Sequence, residues 1–272
     1  MKKHLPFLLF WLMVIIGIHH ELTPYTMDVM TGSQYGTAFV CVCLTLLYIL
    51  PALALVNYFS QRWELEIRLP LYGLLSGAFI AGWLSSYGNG LVDALLGTVL
   101  HSKEAVDAWG APTAPFIEEP AKAFAAFAAL YYLYKKKFGP KQVLMAGITA
   151  GLGFQIAEDI SYINGNVFEG FSYSIADIFI RMAGAIGSHW TYTAMTTFGL
   201  YLAFRKDSKK TDKRFGFQLV GGAILIHLLW NTPITSLHLG FPMIESLICL
   251  ASFFGVKLAY EKAMELDKQL TD

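Results

Sequence analysis

Read for its apolar and polar positions, the chain is a series of long apolar runs broken by short polar ones. A helix needs about 20 mostly apolar residues to cross the hydrocarbon core of a bilayer. Eight stretches of this kind stand out, at residues 5–20, 36–59, 69–87, 112–134, 142–163, 182–204, 215–234 and 239–260. The pattern predicts an all-α fold, a polytopic transmembrane helix bundle. The first stretch follows Met1-Lys2-Lys3 and looks like a signal peptide, but no small-x-small cleavage site follows, so it reads as an uncleaved span. No repeat, low-complexity tract or second domain interrupts the series. Residues 1–272 read as one integral membrane domain, with a polar cytoplasmic tail at 261–272.

The loops test that count. Lys2 and Lys3 precede the first span, and Arg62 and Arg68 follow the second. Lys135, Lys136, Lys137 and Lys141 follow the fourth; Arg205, Lys206, Lys209, Lys210, Lys213 and Arg214 follow the sixth; Lys262 and Lys268 follow the eighth. Every second boundary is basic, so the positive-inside rule places both termini in the cytoplasm. The expected location is the cell membrane, multi-pass. The outer segment 88–111 is long for a loop. Leu91, Val92, Leu95, Leu96, Val99 and Leu100 make an apolar stripe in it beside Asp93, Lys103 and Glu104. It reads as an interfacial helix or as a re-entrant gate for substrate.

Composition agrees. Hydrophobic residues make up 55% of the 272 and charged residues only 15%, against about 25% charged in a soluble domain. Lysine plus arginine equals aspartate plus glutamate, 20 each, so nothing points to a nucleic-acid partner. Cys41, Cys43 and Cys249 lie in apolar stretches; the first two point to different helix faces and imply no disulfide framework.

Against this background the polar residues inside the spans matter. An ionisable group at mid-membrane costs roughly 2.5–3.5 kcal/mol on insertion scales, so each is a functional hypothesis. They cluster in the fourth to seventh spans. The fourth carries Glu118, Glu119 and Lys122, with Glu118 and Lys122 spaced to pair on one face. If a helix starts at Pro120, both carboxylates sit at its positive end. The fifth carries Glu158 and Asp159, with Tyr162 one turn beyond Glu158; Asp159 is near enough to the outer end to be solvated. Gly147 and Gly151 form a small-xxx-small pair suited to close helix packing. The sixth carries His189, with Arg181 expected among the outer headgroups. The seventh carries His227 and Asn231, which share a face. The other histidines (His4, His19, His20, His101 and His238) fall near predicted interfaces.

Depth ties these residues together. Counted from the outer boundary of each span, the two glutamates of the fourth span, Glu158 and both histidines lie about five to seven residues in, roughly 8–11 Å deep. Four spans of alternating direction thus place their costly groups in one layer, as a shared hydrated cavity would require.

Peptide hydrolysis needs an activated water, a proton for the leaving amine and donors for the oxyanion. A glutamate beside a lysine can act as base and then acid, and a histidine and asparagine one turn apart can aim donors at an oxyanion. A glutamate with two histidines is also a plausible zinc set with an open fourth position. The chain has no His-Glu-x-x-His helix and no Gly-x-Ser-x-Gly turn.

Glu118-Glu119-x-x-Lys122, then Gly153-Phe154 with Glu158 four residues after the phenylalanine, then His189, then His227-Leu-Leu-Trp230-Asn231 occur in that order on four successive spans. In this the sequence resembles the PrsW family of intramembrane proteases, a group related to the CAAX-processing and bacteriocin-immunity proteases. The resemblance implies a catalytic core over residues 112–234. Glu118 and Glu119 would activate water, Glu158, His189 and His227 would complete the site and supply possible metal ligands, and Asn231 would help His227 polarise the scissile carbonyl. Asp159 stands where the PrsW pattern is expected to have asparagine, and Glu158 where the CAAX-processing branch has histidine. Both a zinc-dependent and a metal-free glutamate mechanism are compatible with it. The expected activity is endopeptidase cleavage of a membrane-anchored protein near the outer leaflet, for example a signalling regulator such as an anti-sigma factor. The alternatives are a zinc-dependent lipid amide hydrolase and a proton-coupled transporter.

Overall fold

The computed structural model describes residues 5–26, 29–135, 137–236 and 242–271. His4, His238, Lys2, Lys3, Lys136, the start of the eighth predicted span and Asp272 lie outside them. Among the described residues the fold is all helical, with no strand.

Among the described residues, five helical stretches are long and apolar enough to cross a membrane: Leu5–Tyr25, Gly32–Arg62, Arg68–Gly97, Pro140–Glu169 and Met243–Leu270. They correspond to the first, second, third, fifth and eighth predicted spans. Helix α1 covers Leu5–Thr26 and α2 Gly32–Arg62. The third stretch is one continuous path made of α3 (Arg68–Ser76), a π-helical turn (Gly77–Ala81) and α4 (Gly82–Gly97). The outer segment is therefore not a loop. Its first part extends the third span, and its second part is a separate helix, α5 (Lys103–Thr113), which Ser102 caps by accepting from the Ala105 N–H.

Helix α6 (Pro115–Tyr134) follows at once, with Pro115 in its first turn, where a missing N–H costs nothing. It starts five residues before Pro120, so Pro120 lies inside the helix, although Glu118 remains in the first turn. Helix α7 (Pro140–Asn166) is the central helix, its residues buried along most of its length. Helix α9 (His189–Phe204) packs on it, and α10 (Lys210–Trp230) packs on α9. Helix α11 (Met243–Thr271) closes the bundle. The peripheral helices α1, α2 and α11 keep Leu12, Leu47 and Phe254 more than half exposed, as a lipid-facing surface requires.

The sixth predicted span differs most. A continuous helix over 182–204 is not formed. Helix α8 (Phe171–Gly184) ends, a 3₁₀ turn covers Ala185–Gly187, and α9 begins at His189. Gly184, Gly187 and Ser188 explain the break. Glycine is a poor helix former, and the Ser188 hydroxyl is committed to the side-chain carbonyl of Gln155 on α7. Arg181 therefore belongs to a different helix from His189.

Candidate active site

Each polar residue expected in the site is placed by a specific helix contact. Gly147 and Gly151 let α7 and α9 touch backbone to backbone. A Cβ on Gly147 would stand 2.9 Å from Ala194 Cα, and one on Gly151 would press on the His189 carbonyl and stand 2.6 Å from Trp190 Cα. The small-residue pair thus fixes where α9 starts, and His189 is its first residue. Phe154, one turn before Glu158, packs edge-on against the His189 ring at 4.9 Å and lies 4.5 Å from the Lys122 ammonium.

Glu119 and Lys122 are fully buried and form the floor. Lys122 Nζ lies 2.6 Å from Glu119 Oε1, 3.4 Å from Glu118 Oε2 and 2.8 Å from His189 Nδ1. The short ion pair is with Glu119, not with the Glu118 that helical spacing suggested. Glu119 also meets His227 Nδ1 at 2.9 Å and accepts from the Thr196 hydroxyl at 3.3 Å. The Tyr192 ring stacks on His227 at 5.0 Å, and the two histidine rings are also 5.0 Å apart.

Above this floor Glu118 faces a cavity of about 750 Å³, lined also by Glu158, His189, His227 and Asn231. One Glu118 oxygen accepts from Asn89 Nδ2 at 3.1 Å, and the other lies 3.7 Å from His227 Nε2. Glu158 Oε2 meets His189 Nε2 at 3.1 Å. Asn231 donates to the Ala111 carbonyl at 3.0 Å.

Two surroundings expected from the sequence are corrected. Arg181 is not among headgroups: its side chain is 16% exposed and bridges Glu158 Oε2 at 2.8 Å and Asp159 Oδ1 at 2.6 Å. Asp159 is not solvated. It is fully buried and accepts from Tyr48 (2.6 Å) and Gln155 (3.1 Å) as well as Arg181. Tyr162 lies under the Arg181 guanidinium, 3.7 Å from ring centroid to carbon. Sequence reasoning missed Asn89, Tyr48, Gln155 and Ser188. Only Asn89 left a trace, as a polar residue just before the apolar stripe that starts at Leu91.

A model of the PrsW family intramembrane metalloproteases matches residues 66–257. The chain belongs to that family. It is accordingly a peptidase, a multi-pass membrane protein, and acts on membrane-anchored protein. No curated protein and no solved structure matches it. The matched region holds every polar residue named above except Tyr48, which α2 contributes from outside it.

Family membership raises the question of a metal. In this PrsW-family chain Glu118, His189 and His227 each offer one ligand atom, all within 4.8 Å of one another. One carboxylate and two imidazoles facing a cavity is the chemistry of a catalytic zinc site. Glu119 on His227 Nδ1 is the outer carboxylate that usually orients a ligating histidine and leaves its Nε2 free. His189 has Lys122 on Nδ1 and Glu158 on Nε2, so it would ligate where one of these two contacts gives way. The donor set therefore suits a metal, with Glu118 rather than Glu158 grouped with both histidines. Glu158 touches only His189 of the two.

Proposed function

We propose that this protein is an intramembrane endopeptidase that cuts its membrane-anchored substrate just inside the outer leaflet, on water held among Glu118, His189 and His227. The observation that carries this reading is the convergence of those three side chains from α6, α9 and α10 at the base of a polar cavity within an otherwise apolar bundle. The alternation of basic loops supports the rest: the chain crosses the cell membrane eight times, the sixth time through α9, with both termini in the cytoplasm.

In the metal-free form Glu118 takes a proton from the attacking water and returns it to the leaving amine. Of Glu118, Glu119 and Glu158, it is the one that both faces the cavity and lacks a short ion pair. Glu119 balances Lys122 and fixes the ring of His227. Glu158, itself clamped by Arg181, orients His189. Asn231 lies one turn beyond His227 at the cavity and, released from Ala111, can donate with it to the carbonyl oxygen of the scissile bond. A metal, zinc by the donor set, would be held by Glu118, His189 and His227 and would supply Lewis-acid polarisation and a more acidic water. Family resemblance alone supports an anti-sigma factor as the substrate. A lipid amide substrate is less well supported, because an acyl chain needs a long apolar tunnel and this cavity is lined by Glu21, Asp93, Asp107 and Arg181.

In proteoliposomes with a membrane-spanning peptide, Glu118→Gln, His189→Ala and His227→Ala are each expected to lower cleavage at least about 100-fold, the usual scale for losing an acid–base group. Near-normal cleavage by all three would falsify the assignment. Metal analysis of the purified protein separates the two mechanisms. About one zinc per chain, absent from His227→Ala, supports the metal form. Full activity in strong chelator supports the metal-free glutamate form.

A further inference from the structure

The cavity wall contributed by α4 carries hydrogen-bonding groups that the hydrolytic centre does not use. Ser85, Asn89 and Asp93 recur every four residues, so they share one face, and all three line the cavity. Gly82, Ser86 and Gly90 line it too, and a Cβ on Gly90 would touch nothing within 4 Å. These small residues leave a trough along the helix.

Two groups in the trough are orphaned. Ser85 is 2% exposed and its hydroxyl has no hydrogen-bond partner. Thr193 and Thr197 on α9 are likewise buried and unpaired, but of these three hydroxyl residues Ser85 alone lines the cavity, and many helical hydroxyls bond back to their own helix. Ser76 does so to the Gly73 carbonyl, and Thr98 to the Leu95 carbonyl. Asn89 gives its amide N–H to Glu118 and leaves its own Oδ1 buried without a donor. Buried polar groups are nearly always paired. Two unpaired ones, one turn apart and beside the carboxylate that activates water, mark a place where a ligand completes the pairing.

The chemistry of the substrate indicates the ligand. A membrane-spanning helix satisfies its main chain internally, and cutting it requires local unwinding. Each freed N–H and C=O then needs a protein partner, since lipid offers none. Residues four apart on a helix are separated by about 6 Å along its axis. An extended chain presents main-chain groups to the same side about every 6.6 Å.

We propose that Ser85 and Asn89 form a subsite for the main chain of an unwound, extended peptide segment beside Glu118. Asn89 Oδ1 accepts a substrate N–H, and the Ser85 hydroxyl donates to a substrate C=O. This rests on the peptidase reading and deepens it by naming the backbone, not a side chain, as what this wall recognises. Asn89 holds substrate and Glu118 together, so seating the chain and orienting the base are linked. Ser85 does not touch Glu118 and acts purely in positioning.

Ser85 is therefore the residue to test. Cut sites are first mapped by mass spectrometry of new termini in membranes containing wild-type or Glu118→Gln protein. A fluorogenic peptide spanning a mapped cut, with its membrane helix, is then assayed in proteoliposomes. Ser85→Ala is expected to raise KM about five- to tenfold, the worth of one hydrogen bond, with kcat within about twofold. Its thermal midpoint should equal or exceed that of wild type, because only an unpaired hydroxyl is lost. A set of peptides with single amides near the cut replaced by thioamides, whose C=S accepts a hydrogen bond more weakly than C=O, gives the second readout. One of them should lose as much with wild type as Ser85→Ala loses with the amide, and the combination should lose no more. An unchanged KM, a lowered thermal midpoint, or losses that multiply for every thioamide would overturn the subsite. If Glu118→Gln is inactive while Ser85→Ala behaves as wild type, only the subsite falls. If Glu118→Gln makes the same cuts as wild type, the peptidase assignment of this site falls with it.

Discussion

At the residue scale the two adjacent glutamates do different work, although they differ by one position. Glu118 faces the cavity with one neutral donor, Asn89, on it and a lysine no closer than 3.4 Å. Glu119 is sealed, with Lys122 at 2.6 Å and His227 at 2.9 Å. Removing one member of a buried ion pair leaves the other uncompensated, at a cost of about 3–5 kcal/mol. Glu119→Gln is therefore expected to lower the thermal midpoint in detergent and abolish cleavage. Glu118→Gln should abolish cleavage and leave the midpoint close to wild type. Equal midpoints for the two variants would contradict the division of roles. Asp159 follows the same logic. Its carboxylate gathers Tyr48, Gln155 and Arg181, so Asp159→Ala orphans three donors and should destabilise more than Tyr48→Phe, which removes one. Comparing the two thermal midpoints checks this.

At the scale of elements the decisive feature is the break before α9. It puts His189 at the start of a helix, beside Gly151, where backbone contact leaves no room for a side chain. Gly151→Ala should displace the first turn of α9 and lower cleavage by at least about tenfold, as a shift on the order of 1 Å at a catalytic group does. Gly36→Ala on α2 is the control, since a Cβ there meets nothing within 4 Å. It should leave cleavage unchanged and add up to about 1 kcal/mol of helix stability. Cleavage rates and thermal midpoints of the two variants decide the matter. The α4–α5 hairpin works at the same scale. Its polar face, with Asn89, Asp93 and Asp107, lines the cavity, while Leu91, Leu95, Val99 and Trp109 on the hairpin are exposed.

At the scale of the whole molecule the bundle separates two environments. Peripheral helices present apolar side chains outward, and the central helices collect the carboxylates, imidazoles and ammonium that lipid would exclude. The proposed orientation has a direct test. In a chain whose Cys41, Cys43 and Cys249 are replaced by serine, His101→Cys should react with an impermeant maleimide added outside intact cells. Lys206→Cys should react only after the membrane is opened. The reverse pattern would invert the topology and move the cut to the inner leaflet.

The linear pattern was enough to read a helical membrane protein, because the cost of burying charge in lipid is written into composition and run length. The Glu118, Glu119, Lys122, Glu158, His189 and His227 cluster was legible for the same reason: each is expensive where it stands. Roles within the cluster were not legible. Helical spacing favoured Glu118 as the partner of Lys122, but side-chain reach gave Lys122 to Glu119. Arg181 read as a headgroup residue because the turn at Ala185–Gly187, which carries it back over Glu158 and Asp159, depends on Gln155 of another helix capturing Ser188. Which costly groups exist is a property of the residues alone. Which of them meet, and which stay open to a substrate, depends on contacts between helices far apart in the chain, and only the packed bundle decides that.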